Sequence, residues 1–146
     1  MPIRTAEAEW KGDLMEGSGK MRLGTGAYEG PFSFKSRMEN GPGTNPEELI
    51  AAAHAGCFSM AFSAQITSAG HAPRRIHTKA NVKFEKTDGG FAITSIHLDS
   101  EGEVPGISEA QFQELAEAAK KGCPVSKALA GTSISLTARL VSTASA

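Results

Sequence analysis

The chain lacks the features that tie a protein to nucleic acid, to a membrane or to an export pathway. Its formal net charge is −1 and its densest basic run is Arg74-Arg75, so no basic stripe is available for phosphate contacts. The N-terminus has no apolar segment typical of a signal peptide, and polar residues interrupt the longest weakly polar stretch, Leu49 to Ile66. We therefore expect a cytoplasmic protein that binds neither nucleic acid nor a membrane.

Cysteine is scarce as well, and the two present are Cys57 and Cys123. A chain without a signal peptide is expected to stay in the cytosol, where thiols are kept reduced, and this argues against a structural disulfide. Two unreactive buried thiols and a redox pair both remain as interpretations.

The rest of the composition is typical of a globular protein. Of the 146 residues, 40% are hydrophobic and 21% are charged. A chain of this length fits one domain over residues 1–146 and buries enough surface to fold without a covalent staple.

Alternating apolar and polar residues predict strands in both halves of the chain. The clearest pattern runs from Ile76 to Glu85, and a Gly-rich turn joins it to a return strand over residues 91–98, as in an antiparallel hairpin. A third strand is predicted over residues 134–140. Shorter alternating segments predict a small N-terminal meander, around Glu7 to Trp10, Lys20 to Leu23 and Pro31 to Arg37.

A long helix is predicted between these β regions. Asn45 is a suitable N-cap, Pro46 suits the first helical position, and Gly70 stops a helix that runs to about Ser68. Beyond its first turn this helix is apolar on nearly every side, which is typical of a helix buried all round. A domain of this size would struggle to enclose it alone, so we expect a dimer.

The environments of the two cysteines differ. A second helix is predicted from Ser108 to Gly122, and Cys123 with Pro124 then begins a short third helix. At a helix N-terminus the thiolate of Cys123 is favoured by free N–H groups and by the helix dipole. Cys57 lies within the long helix, where the simplest interpretation is a small buried side chain.

Two charged residues near the long helix are further candidates. Glu47 precedes Cys57 by ten residues, about 15 Å along a helix axis, and therefore cannot touch it directly. Glu47 could hold Arg37, placed on the β segment before the helix, whose side chain would span part of that distance. The alternatives are an acid that complements the helix dipole and an arginine in solvent.

A metal or cofactor site has little support. His54 and Cys57 are three residues apart on the helix and could share a metal, but the chain has neither CxxC nor HxxxH spacing to complete a zinc site. It also has no phosphate-binding loop and no nucleophile elbow. We expect no metal and no cofactor.

Two segments resemble the signatures of a known family. Residues 43–60, GTNPEELIAAAHAGCFSM, and residues 122–126, GCPVS, are similar to those of the osmotically inducible protein C and organic hydroperoxide resistance family. The similarity extends over most of the chain. His54 and the run from Phe32 to Arg37 are closer to the osmotically inducible protein C branch.

The resemblance implies an α+β fold in which curved antiparallel sheets wrap around central buried helices in an intertwined homodimer, with two active sites at the subunit interface. It also implies a thiol peroxidase for organic hydroperoxides, active in oxidative or osmotic stress. In that reaction Cys57 attacks the peroxide, Cys123 resolves the sulfenic acid, and Arg37 and Glu47 form an assisting ion pair.

The same resemblance implies that no haem, flavin or metal takes part and that a dithiol, possibly lipoyl-type, is the reductant. From the residues themselves, the apolar neighbours Phe58, Met60 and Phe62 are expected to make the site prefer organic over hydrogen peroxide. The alternative is a binding or structural protein of the same fold whose thiols are inert.

Overall fold

The computed structural model describes residues 2–141 and divides the chain between Leu49 and Ile50 into two compact units. The first unit contains an antiparallel meander of β1 (Ala6–Lys11), β2 (Ser18–Leu23) and β3 (Glu29–Phe32). The predicted N-terminal meander is therefore present.

The predicted third segment of the meander is wrong beyond Phe32, because a short helix, α1 (Phe34–Met38), takes its place. Ser33 and Ser36 form a reciprocal cap in which the N–H of Ser36 donates to Ser33 Oγ at 3.1 Å and the N–H of Ser33 donates to Ser36 Oγ at 2.9 Å. These bonds satisfy free backbone donors and start the helix. Arg37 thus lies on a helix and not on a strand.

The long helix α2 (Pro46–Ser68) has the predicted bounds. The N–H of Glu48 donates to Asn45 Oδ1 at 2.7 Å, which confirms Asn45 as the cap, and Gly70 ends the helix with a φ of 94°. By length and composition α2 could cross a membrane, and 22% of its most apolar window is buried. A core helix of a soluble protein passes the same test of length and composition, although such a helix is mostly buried.

The second unit contains the rest of α2 and a sheet of order β4-β5-β6. The strands β4 (Arg75–Thr87) and β5 (Gly90–Glu103) form the predicted antiparallel hairpin. The chain then passes through α3 (Glu109–Gly122) and α4 (Pro124–Ala128) to β6 (Ser133–Leu140), which pairs with β5 in parallel. The α+β class is confirmed, and this helical crossover, which parallel pairing requires, makes the sheet mixed instead of purely antiparallel.

The core of the second unit brings α2, β5 and α3 together. Phe62 of α2 lies between Phe58 and Phe112, with ring centroids 5.5 and 5.0 Å away. Fully buried neighbours complete this core, namely Ile66, Ile96, Leu98, Ala116, Ala119 and Cys123. The core therefore holds the middle of α2 and the start of α4 in fixed positions.

Candidate active site

The two cysteines meet in the second unit. Cys57 lies in the fourth turn of α2, and Cys123 lies between α3 and α4, as the C-cap residue of α3 and the N-cap residue of α4. The Sγ atoms are 2.9 Å apart and both thiols are free. Since a disulfide needs about 2.05 Å, a displacement of about 1 Å would join them.

Access to solvent differs between the two sulfurs. Cys123 has an exposure of 0%, whereas Cys57 is only half-buried. A small molecule that approaches from solvent therefore reaches Cys57 first.

The acidities of the thiols run in the opposite direction. Burial and the contact with Cys123 raise the pKa of Cys57, against a smaller effect of the Val125 N–H. For Cys123, burial acts to raise the pKa but is outweighed by the contact with Cys57, by the Ser126 N–H and hydroxyl and by the Val125 N–H, so the pKa is lowered. The prediction that Cys123 is locally the more acidic thiol agrees with these directions.

A buried polar contact that was not predicted lies next to this pair. Ser126 is the third residue of α4, its hydroxyl acts on the Cys123 thiol, and its Oγ is 2.7 Å from Nε2 of His54. His54 is fully buried, one turn before Cys57 on α2. The signal that could have found Ser126 is its position, since the third residue of a helix faces the cap.

A metal site at His54 would lack further ligands in the described part of the chain. No group of three His, Cys, Asp or Glu side chains that could hold a metal is found among residues 2–141. His54 bonds to Ser126 instead, and burial lowers the pKa of its imidazole, which keeps the ring neutral.

Arg37 and Glu47 form an ion pair within the first unit. Nη2 of Arg37 donates to Oε1 of Glu47 at 2.8 Å, and Nε of Arg37 donates to the same oxygen at 3.1 Å. Glu47 is 7% exposed, and such charge-assisted bonds hold the guanidinium firmly. The sequence therefore identified the correct partners, although Arg37 comes from α1.

The predicted apolar lining of the site needs correction. Phe58 and Phe62 are fully buried in the core and cannot contact a substrate, while Met60 is 77% exposed. Phe58 and Phe62, four residues apart, share one face of α2, whereas Met60 lies on the opposite face because a helix turns about 100° per residue.

An apolar pocket of about 290 Å³ is instead found in the first unit, with Arg37 in its wall. The other residues that line it are Trp10, Leu14, Phe32, Ser33, Phe34 and Met38. The pocket thus combines apolar walls with one fixed cation.

A pair of neighbouring free thiols on an α+β scaffold defines a thiol-based redox protein. The sequence model of the family described as "OsmC-like protein" matches residues 39–139. The chain is 47% identical over 127 residues to Peroxiredoxin OsmC of Escherichia coli (strain K12), which covers 86% of this chain and 89% of that protein. The protein belongs to the OsmC-like family.

More distant relatives agree with this assignment. The chain is 35% identical over 92 residues to the Organic hydroperoxide resistance protein of Xanthomonas axonopodis pv. citri (strain 306), covering 62% of this chain and 63% of that protein. The crystal structure of the Organic Hydroperoxide Resistance Protein OhrB of Bacillus subtilis is 26% identical with a TM-score of 0.70, covering 94% of this chain and 98% of that chain.

Proposed function

We propose that the protein is a cysteine-based peroxidase of stress defence that reduces organic hydroperoxides, and hydrogen peroxide more slowly, to alcohols or water. The observation that carries this proposal is the 2.9 Å between the Sγ atoms of a partly exposed Cys57 and a fully buried Cys123. An accessible sulfur can meet the peroxide, and a buried sulfur within bonding reach can close the disulfide. The family assignment supports the same reaction.

The first chemical step takes place at Cys57. Its thiolate attacks the distal oxygen of ROOH, an S–O bond forms while the O–O bond breaks, and the leaving alkoxide takes a proton to become the alcohol. Cys57 is then a sulfenic acid. In the second step the Cys123 thiolate attacks that sulfur, and the hydroxide that leaves becomes water.

A dithiol reductant completes the cycle by thiol–disulfide exchange at the Cys57–Cys123 disulfide. We propose a lipoyl-type dithiol, on the basis of the resemblance, and a cytoplasmic location, where reduced dithiols are maintained. No step of this cycle requires a metal or a cofactor.

Arg37 and Glu47 are proposed to assist Cys57. The attacking charge must lie on Cys57, whose pKa burial raises, so a cation is needed to favour its thiolate and the departing alkoxide. We propose that Arg37 supplies this cation in a homodimer whose active sites lie at the subunit interface, and that Glu47 fixes its orientation. The geometry of the Arg37–Glu47 ion pair supports the assignment.

The apolar pocket beside Arg37 supports organic hydroperoxides as the preferred substrates. Trp10, Phe32 and Met38 would bury the organic group of ROOH, for which hydrogen peroxide has no counterpart. We therefore expect a higher kcat/KM for cumene hydroperoxide than for hydrogen peroxide.

The test is peroxide consumption with a dithiol as reductant. Cys57→Ser should lower the rate to that of the dithiol alone, and Arg37→Met should slow the reaction roughly a hundredfold by loss of electrostatic stabilisation. Cys123→Ser should instead accumulate a sulfenic acid on Cys57, which a dimedone label and mass spectrometry detect. If Cys57→Ser consumes cumene hydroperoxide as fast as the parent, the thiols are inert and the proposal fails.

A further inference from the structure

The buried contact between His54 and Ser126 has no part in the cycle above. Burial of an imidazole and a hydroxyl costs free energy unless they are paired, and their 2.7 Å contact satisfies Nε2 of His54 and the Ser126 hydroxyl. Nδ1 of His54 has no partner among residues 2–141. Since the buried imidazole bonds to Ser126, we expect the role of His54 to be exerted through Ser126.

The pairing of His54 defines the direction of the bond. A buried N–H without an acceptor is rarer than a buried acceptor without a donor. The unpaired Nδ1 therefore carries the lone pair, and Nε2–H donates to Ser126 Oγ. The Ser126 hydroxyl proton is then free, and Ser126 at the third position of α4 lies where a helix side chain faces its N-cap residue, Cys123.

We propose that Ser126, oriented by His54, is a positioning residue for disulfide formation, because its hydroxyl donates to the Cys123 thiolate and aims that sulfur at oxidised Cys57. This inference rests on the proposed peroxidase cycle and concerns only its second step. There the Cys123 thiolate, whose proton has gone to solvent, forms the S–S bond. The Cys57 S–O bond breaks, and the hydroxide takes a proton from solvent.

The structure explains why the second step needs such help. Cys123 is fully buried, so water cannot solvate its thiolate, and only groups at the start of α4, the Val125 and Ser126 N–H groups and the Ser126 hydroxyl, are placed to act on it from that helix. The hydroxyl of Ser126 replaces that missing solvation. Since His54 and Cys57 share α2 while Ser126 and Cys123 share the start of α4, the bond between His54 and Ser126 also fixes the two sulfur-bearing segments to each other.

Single-turnover kinetics separate the two steps. Reduced protein is mixed with one equivalent of cumene hydroperoxide, alcohol formation reports the first step, and loss of the dimedone-reactive sulfenic acid reports the second. Ser126→Ala should slow the second step roughly ten- to hundredfold, the usual effect of losing a hydrogen bond to a charged group. Ser126→Thr, which keeps the hydroxyl, should restore the rate to within about threefold of the parent.

Two further variants complete the design. Ser100→Ala removes another fully buried serine hydroxyl of the same unit, bonded to Thr78 at 3.0 Å, and should change neither step. If Ser126→Ala does not fold by circular dichroism, His54→Leu replaces it, since it removes the donor to Ser126, and the same slowing is expected.

The thiol–disulfide equilibrium is a second readout, which would not change if the role of Ser126 were purely structural. Loss of a donor to the Cys123 thiolate destabilises the reduced protein, so the equilibrium with a reference dithiol should shift roughly tenfold toward the disulfide, about 30 mV, in Ser126→Ala but not in Ser126→Thr. Disulfide formation in Ser126→Ala at the parental rate would overturn the inference while leaving the peroxidase intact. No alcohol formed by the parent, together with no sulfenic acid on Cys57 of Cys123→Ser, would overturn the proposed function itself.

Discussion

Among the individual residues, the two cysteines differ in their access to solvent and in their acidity. Cys57 is reached from solvent but its pKa is raised, whereas Cys123 is buried and its pKa is lowered. With 2.9 Å between the sulfurs, loss of one proton leaves a charge on the pair, and attack on peroxide requires that charge on Cys57. A cation near Cys57 would shift the charge in that direction, which is the role proposed for Arg37.

His54 should give the protein a pH-dependent stability. Burial lowers the pKa of His54 below 6.5 in the folded protein. At pH values between the folded pKa and 6.5, the unfolded chain therefore binds more protons than the folded protein. This contribution to the free energy of unfolding is complete above pH 6.5 and is lost as the pH falls, at up to about 1.4 kcal/mol per pH unit. Urea unfolding between pH 7.5 and 5 measures it.

Two variants separate His54 from other groups that titrate. His54→Gln should flatten this part of the pH profile, and His77→Gln, at an exposed position of β4, is the matched histidine control. An equal slope in His54→Gln and the parent would show that His54 does not titrate as expected from its burial.

At the level of elements, a glycine sets the contact between β5 and α3. A Cβ at Gly102 would lie 2.9 Å from Phe112 Cε1 and 3.3 Å from Ile76 Cδ1. Phe112 is fully buried and has little room to move. The absent side chain therefore lets α3 approach the sheet closely.

Gly102→Ala should accordingly destabilise the protein. Overpacking costs about 1–3 kcal/mol in the free energy of unfolding. About 0.5–1 kcal/mol of this is offset, because the backbone of alanine loses less entropy on folding than that of glycine. We expect a net loss of about 1 kcal/mol in the free energy of unfolding, measured as a lower urea midpoint at constant m value. The control is Gly131→Ala, where a Cβ meets no atom within 4 Å; equal midpoints for the two variants would contradict the close approach.

Elements with local signals could be predicted from the sequence. The cap at Asn45 and the stop at Gly70 gave the bounds of α2, and Pro124 marked the start of α4. Arg37 was placed on a strand because the alternation of apolar residues continues through its segment. The cap that starts α1 depends on the hydroxyls of Ser33 and Ser36, and such a pair leaves no periodic pattern in the sequence. Ser126 was missed because its contact with His54 joins residues 72 positions apart.

For the whole molecule, the exposed face of α2 is the feature that supports a second subunit. A row of residues at intervals of four remains exposed on it, made up of Ala52, Gly56, Met60 and Ala64. Met60 is 77% exposed, which is unusual for a large apolar side chain flanked by alanine and glycine. Small residues at this spacing allow a second helix to pack closely, and this row supports the proposed homodimer.

Gly56→Gln tests that assembly without disturbing the subunit. A Cβ at Gly56 meets no atom within 4 Å, so the fold of one chain accommodates a longer side chain there, whereas a helix packed on this face would be pushed away. Sedimentation velocity should show a dimer for the parent and for Gly131→Gln, which adds the same side chain at an open position, and a dissociated species for Gly56→Gln. Peroxidase activity should fall together with the dimer if the active sites lie at the interface. A dimeric Gly56→Gln would place the contact elsewhere, and a folded monomer of the parent would remove the interface site altogether.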